Sequence, residues 1–252
     1  MISIVMPAFN ASETILKSIE SVTSQSYKEW ELIIIDDCST DDTAEIVLPL
    51  SEQDPRLIYL KNETNRGVAH SRNNGIKKAR GEWIAFLDSD DLWGNTKLEK
   101  QLAFMKAKKA KISYTATAYI NSEGKRSNYV LQAKEKLTFR DLLKSNLMSC
   151  SSVMVSRDIM QNFPETDEMI HEDYVVWLNI LQGENYAYGL NEPLLIYRLS
   201  ASSKSGNRIR SAKMIFNAYR RVGFGFLSSM LLTLFYSVHS ITKRRKVKHS
   251  IM

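Results

Sequence analysis

Short apolar runs alternate with amphipathic stretches through the first third of the chain, and that rhythm sets the expected fold. Ile2 to Met6 reads as a strand ended by Pro7, Glu31 to Ile35 as a second, Leu57 to Leu60 as a third and Trp83 to Leu87 as a fourth. Continuous apolar runs of this kind, rather than alternating ones, mark strands buried on both faces of a parallel sheet. Helical periods lie between them. Ser12 is placed to cap a helix whose Ile15, Leu16, Ile19 and Val22 share a face. Thr40 or Asp41 caps one carrying Ile46 and Val47, and Asn65-Arg66-Gly67 turns into one through Ala69, Ile76 and Ala79, broken by Gly81. This β-α-β-α-β-α-β alternation predicts an α/β fold: a Rossmann-like, mostly parallel sheet flanked by helices.

After Asp91 the pattern is less regular. It predicts a helix over Lys97 to Lys108, a strand over Ile112 to Ile120 and a hairpin turn at Asn121-Ser122-Glu123-Gly124. A helix over Leu137 to Leu143, a short strand over Ser152 to Val155, a helix over Asp173 to Gln182 and a strand over Pro193 to Tyr197 follow, then the Ser-rich stretch Ser200 to Ser205. The end differs again. Phe224 to Ile241 is apolar and aromatic, and Lys243, Arg244, Arg245, Lys246 and Lys248 follow at once. A spanning helix needs roughly twenty mostly apolar residues, which this stretch, with Ser228, Ser229, Ser237 and His239 inside it, barely supplies. A helix lying on a membrane surface, or docked on protein, suits it better.

Composition narrows the function. At 252 residues and 44% hydrophobic, the chain buries one large core or one core with a small appendage. Its net charge of +6 gathers in the tail, away from the acidic strand ends, which argues against nucleic acid and for an anionic membrane surface. Two cysteines, Cys38 and Cys150, give neither metal spacing nor a disulfide framework. With strand-like residues from Ile2 onward, the expected location is cytoplasmic, peripheral on the inner face of the cell membrane.

Chemistry concentrates where apolar runs stop at paired carboxylates. Ile33-Ile34-Ile35 ends in Asp36-Asp37, and Ala85-Phe86-Leu87 ends in Asp88-Ser89-Asp90-Asp91. Ligands of open α/β sheets sit beyond such strand ends. Two facing acidic clusters call for a cation, and a hard divalent metal carrying phosphate oxygens is the candidate. Helix capping accounts for Ser39, Thr40 or Asp41 and, beside Leu92, for Asp91, but leaves Asp36 and Asp37 without partners. One of His171, Glu172 and Asp173, at a helix start, is either a general base or a cap. Arg72, read from its helix alone, is a solvated charge. No Gly-x-Gly-x-x-Gly and no Gly-Lys-Ser/Thr loop follows the first strand, which removes dinucleotide oxidoreductases and phosphate-loop NTPases.

Taken together, Val5-Met6-Pro7-Ala8-Phe9-Asn10, Ile35-Asp36-Asp37-Cys38-Ser39-Thr40-Asp41, Gly67-Val68-Ala69 with Arg72-Asn73, and Phe86-Leu87-Asp88-Ser89-Asp90-Asp91 resemble the family 2 inverting glycosyltransferases with the A-type fold. Glu172-Asp173-Tyr174 with Trp177-Leu178, and Glu192-Pro193-Leu194 with Tyr197-Arg198, extend the resemblance to about Ser205. It is strongest to small bacterial enzymes that build O-antigen, capsule or teichuronic acid. The resemblance implies a glycosyltransferase domain over 1–205, with a nucleotide-binding half 1–91 and an acceptor half 92–205, and a helical apolar-basic tail over 206–252. Pro7, Phe9, Asn10, Asp36, Asp37, Arg72, Asp88 and Ser89 would bind the nucleotide sugar, Asp90 with Asp88 the metal (Mn²⁺ or Mg²⁺). Asp173 would be the base, with Glu172 beside it. The implied reaction moves a sugar with inversion from a nucleotide-diphosphate sugar, UDP-linked in most of the family, to a glycan or polyprenyl-diphosphate-linked glycan. Cys38 stands where the family usually has glycine. Two other readings remain open from residues alone: a sugar nucleotidyltransferase, whose Gly-rich basic loop is missing here, and a non-catalytic nucleotide-sugar-binding component of a polysaccharide assembly.

Overall fold

The structure, a computed structural model, describes residues 1–166, 169–184, 186–199 and 208–249. Its first half follows the expected alternation: β1 (Ile2–Ala8), α1 (Ile15–Thr23), β2 (Trp30–Asp36), α2 (Thr43–Gln53), β3 (Leu57–Lys61), α3 (Val68–Lys78) and β4 (Trp83–Phe86). The second half contains β5 (Leu92–Trp93), α4 (Lys97–Lys108), β6 (Ile112–Ile120), β7 (Arg126–Leu131), β8 (Lys136–Leu137) and α5 (Phe139–Lys144). A 3-10 turn at Cys150–Ser152 leads into β9 (Val153–Ser156), followed by α6 (Glu172–Gly183), β10 (Ala187–Arg198), α7 (Arg208–Arg221) and α8 (Phe226–His249).

One sheet runs in the order β3-β2-β1-β4-β9-β6-β10-β5, with β7 on β6 and β8 on β10. The pairs β3/β2, β2/β1, β1/β4 and β6/β10 are parallel. β9 lies antiparallel to both β4 and β6, joining the two halves into a single sheet. Every residue of β1 and β2 is buried, as unbroken apolar runs require. Ile15, Ile19 and Val22 of α1 cover one face with Leu98, Leu102 and Met105 of α4. The other face packs on Tyr174, Trp177, Leu178 and Leu181 of α6. Each such side chain contributes about 1.5–3 kcal/mol on burial.

Several local expectations shift. Pro7 does not end β1, which runs on to Ala8. β4 pairs only as far as Val5, so the proline stands where the ladder on that side has stopped. Ser12 does not cap α1: Thr14 holds that position, and the Ser12 N–H goes to Asp41. α2 starts after Asp42 rather than Thr40 or Asp41. Leu137 closes β8, and α5 begins behind a Thr138–Asp141 capping box. Leu92 lies in a strand, so Asp91 caps no helix. The Ser-rich stretch Ser200 to Ser205 lies outside the described residues.

α3 is the helix that matters for the site. It buries Ser71, Arg72, Asn73 and Gly75, and a Cβ on Gly75 would lie 2.5 Å from Val5 Cγ1 and 2.7 Å from Ile35 Cδ1. The missing side chain lets the helix press onto β1 and β2. Gly75→Ala gains about 1 kcal/mol of helix propensity but overpacks this contact at about 1–3 kcal/mol. A lower thermal midpoint is expected, and a midpoint at or above that of the parent protein contradicts the close approach.

Candidate active site

β1, β2 and β4 end side by side, so the segments after them share one edge of the sheet. Here Asn10 and Cys38 both take left-handed backbone angles, φ 48° and 65°. The two loops are stitched together: Asn10 N donates to Ser39 Oγ at 2.9 Å, and Thr40 N to Asn10 Oδ1 at 2.9 Å. Asp41 accepts from Ser12 N and from Thr43 N and Oγ1. Against the upward push of burial, these bonds hold its carboxyl down at about 2. Pro7 is buried in β1, while Phe9, at 50% exposure, and Asn10 project at the mouth.

Asp36 and Asp37 have partners after all. Asp36 accepts from Ser39 N at 2.7 Å and from the Tyr59 hydroxyl at 2.6 Å. Asp37 accepts from Asn62 Nδ2 at 2.8 Å, Arg66 N at 3.1 Å and Gly67 N at 2.7 Å. It thereby fixes the entry to α3, where Gly67 turns with φ 86°. Both carboxylates are buried with their acceptor capacity largely used, which capping could not have supplied.

Part of the countercharge at the second acidic cluster comes from the protein itself. Arg72 is buried; its Nη2 donates to Asp88 Oδ1 at 2.7 Å and its Nη1 to Glu172 Oε1 at 2.8 Å. The guanidinium lies 5.2 Å over the Phe163 ring, and its Nε has no hydrogen-bond partner. Arg72 therefore joins the turn after β4 to the start of α6 and is no solvated helix charge. Asp173, next to Glu172, takes a hydrogen bond from Tyr174 N. Burial, with Glu172 adding and Arg72 opposing, pushes its carboxyl up to about 7. That is where a general base at neutral pH operates best.

Asp90 is pushed up to about 6, first by burial and then by Asp88, with Arg198 opposing. Asp91 is fully buried and bonded to the Ser151 hydroxyl and Arg198 N. The backbone of Ser89 is tied through its carbonyl to Ser18 Oγ at 2.9 Å. Among the described residues no three His, Cys, Asp or Glu side chains gather to hold a metal. Asp88 and Asp90 offer oxygen ligands only, which suits a hard cation completed by phosphates and water. Asp88, Arg72, Glu172 and Asp173 are thus brought together with Asp90 beside them, whereas Asp36 and Asp37 are taken up by the loops around them. Ser151 and Tyr59 carry no local sequence signal for a role at the site, while Arg198 lies in the Tyr197-Arg198 motif.

Comparison with known proteins adds family and fold. The family described as Glycosyl transferase family 2 matches residues 3–163. TuaG of Bacillus subtilis, a putative teichuronic acid biosynthesis glycosyltransferase, is 35% identical over 245 residues that cover 97% of each chain. WfaP of Escherichia coli, a UDP-Glc:α-D-GlcNAc-diphosphoundecaprenol β-1,3-glucosyltransferase, is 35% identical over 96% of this chain and 95% of its own. Among solved structures, S. aureus TarS 1–349 in complex with UDP-GlcNAc matches with a TM-score of 0.72 at 19% identity, over 93% of this chain and 71% of that one. This last likeness is one of fold.

The left-handed backbone at Cys38 costs about 1–2 kcal/mol for a residue with a side chain, and glycine returns about half of that by its greater freedom when unfolded. Cys38→Gly is expected to raise the thermal midpoint by the equivalent of about 0.5–1 kcal/mol. A fall would show that the Cys38 side chain, whose Sγ lies 3.7 Å from the Glu63 carbonyl oxygen, earns more than the strain costs.

Proposed function

The chain belongs to glycosyl transferase family 2 and is a glycosyltransferase, and on that footing we propose that it transfers a hexosyl group from a UDP-sugar to a hydroxyl of a polyprenyl-diphosphate-linked glycan, with inversion. The 1–91 half carries the donor and the 92–205 half the acceptor. The observation that carries this reading is the Arg72 bridge, which puts a carboxyl titrating near neutrality next to an acidic turn suited to a diphosphate. The chemistry of the acceptor is argued from WfaP, whose name couples UDP-Glc with a diphosphoundecaprenol-linked sugar.

Asp173 takes the proton of the acceptor hydroxyl. That oxygen bonds the anomeric carbon as the bond from this carbon to the diphosphate oxygen breaks on the opposite face. Arg72 opposes the upward shift of Asp173, enlarging its ionised fraction, and, through Asp88, fixes the turn at the leaving-group end. The residues fit a divalent metal: Asp88 and Asp90 both offer carboxylate oxygens, and Asp90 is a desolvated carboxylate crowded by Asp88 that a cation relieves. Mn²⁺ or Mg²⁺ held there would supply charge neutralisation for the departing diphosphate. Pro7, Phe9, Asn10 and the loops anchored by Asp36 and Asp37 form the wall against which the nucleotide lies.

Asp173→Asn removes the base with little change in shape. Transfer is expected to fall about 10²- to 10⁴-fold while UDP-sugar binding, followed by calorimetry, stays within a few-fold. Transfer at the parent rate contradicts the assignment.

The acceptor's lipid places the work at a membrane, and α8 supplies a surface for it. Among the described residues no helix is long and apolar enough to cross a membrane. α8 instead splits by period. Leu232 and Tyr236 pack on the core, where Tyr236 meets Tyr174, and Ser229 is buried. Leu227, Met230, Leu231, Leu234, Phe235 and Val238 face out, 44–69% exposed. The helix continues through 243–248, whose basic side chains lie outside the described residues. A one-sided apolar stripe next to a basic segment binds anionic lipid surfaces. Deleting α8 would also strip the core, so Leu231→Glu with Leu234→Glu is the cleaner change. The parent protein is expected to sediment with phosphatidylglycerol vesicles and the double variant to stay largely in the supernatant with its thermal midpoint intact. Equal sedimentation contradicts the membrane role.

A further inference from the structure

We propose that Ser151 is a positioning residue for the acidic turn, holding Asp88 and Asp90 in the arrangement that a divalent cation and a nucleoside diphosphate require. The inference rests on the metal reading given above.

Residues 88–91 place three carboxylates on four successive positions; Asp91 N donates back to the Asp88 carbonyl at 3.1 Å, and the rest of the grip on the turn comes from outside. Ser18 of α1 lies with its Oγ 2.9 Å from the Ser89 carbonyl oxygen and 2.8 Å from that of Asp91. Arg198, ending β10, donates from its N to Asp91 Oδ1 and from its Nε to the Asp90 carbonyl, each at 3.0 Å. Ser151 does something neither of these does. Its hydroxyl accepts from Asp88 N at 3.0 Å and donates to Asp91 Oδ2 at 2.7 Å, so a single oxygen spans the turn from first residue to last.

Ser151 is itself fixed. Its carbonyl accepts from Trp93 Nε1 at 2.7 Å, and the next carbonyl, of Ser152, accepts from Gln101 Nε2 at 3.1 Å. Gln101 in turn accepts from Lys97 Nζ at 2.8 Å, and that ammonium sits 4.0 Å over the Trp93 ring. The hydroxyl thus hangs on a scaffold drawn from β5, α4 and the 3-10 turn before β9. At 1% exposure for both Ser151 and Asp91, water cannot readily replace it. Without it a buried N–H and a buried carboxylate oxygen lose their partner. Movement of the turn satisfies them, and Asp88 and Asp90 move with it. Residues that orient metal ligands in this way typically change metal affinity 10- to 100-fold when removed.

The test titrates Mn²⁺ into the full-length protein with UDP and reads binding by calorimetry, with no turnover. Ser151→Ala is expected to raise the half-saturating Mn²⁺ concentration about tenfold or more, while UDP affinity in chelator shifts far less, a split that general loosening would not produce. Ser151→Thr, which keeps the hydroxyl, is expected to restore most of the Mn²⁺ response. A parent-like Mn²⁺ midpoint in a folded Ser151→Ala overturns the proposal. If that variant does not fold, Ser151→Cys takes its place: a weakened Mn²⁺ response supports the role, and an unchanged one overturns it. Absence of any Mn²⁺ dependence in the parent protein overturns the metal reading itself, and this inference with it.

Discussion

A buried guanidinium has to be paired, and in this protein that requirement organises the site. Arg72 is carried below the surface because α3 lies flush on β1 and β2 at Gly75, one turn further along the same helix. Once buried, the cation costs several kcal/mol in lost hydration unless carboxylates answer it. Asp88 comes from the turn after β4 and Glu172 from a helix a hundred positions away in sequence. Neither half of the chain satisfies Arg72 alone. The donor end and the base end of the crevice are therefore built around one charge, and the close helix–sheet contact that buries it is a condition for both.

The same economy of charge governs the acidic turn. Asp91 is spent on structure: buried, and bonded to Ser151 and Arg198. Asp88 is shared with Arg72. Asp90 has its charge favoured by a backbone hydrogen bond and by Arg198, but burial beside Asp88 outweighs both and makes that charge costly. Three chemically identical residues thus take three roles through surroundings alone.

Much of the parallel half was legible because burial on both faces leaves an unbroken apolar run, and β1 to β4 carry that mark. The crowding of acids at strand ends is legible where those runs stop, and the A-type resemblance in the motifs that follow them, such as Asp36-Asp37 and Asp88-Ser89-Asp90. What stayed hidden depends on distant partners. Asp36 and Asp37 looked unemployed because Tyr59, Asn62, Arg66 and Gly67 reach them only through the folded loop. Arg72 looked solvated because helix spacing does not report how deep a glycine lets a helix sink. β9 reads as a short apolar strand, but its antiparallel insertion between β4 and β6, which delivers Ser151, is set by non-local pairing. In α8 the composition suggested an interfacial or docked helix, and the fold gives it a docked face and an open one.

The most direct test of the account is the pH dependence of kcat in the parent protein and in Arg72→Gln. Asp173 must be ionised to accept a proton, so kcat is expected to fall as pH drops through about 7. Arg72 opposes the upward shift of Asp173, so its loss should move that acid limb to higher pH, leaving less of the base ionised at neutrality. An acid limb in the same place in both proteins would mean that Arg72 does not govern the base, and the coupling at the centre of this account would be wrong.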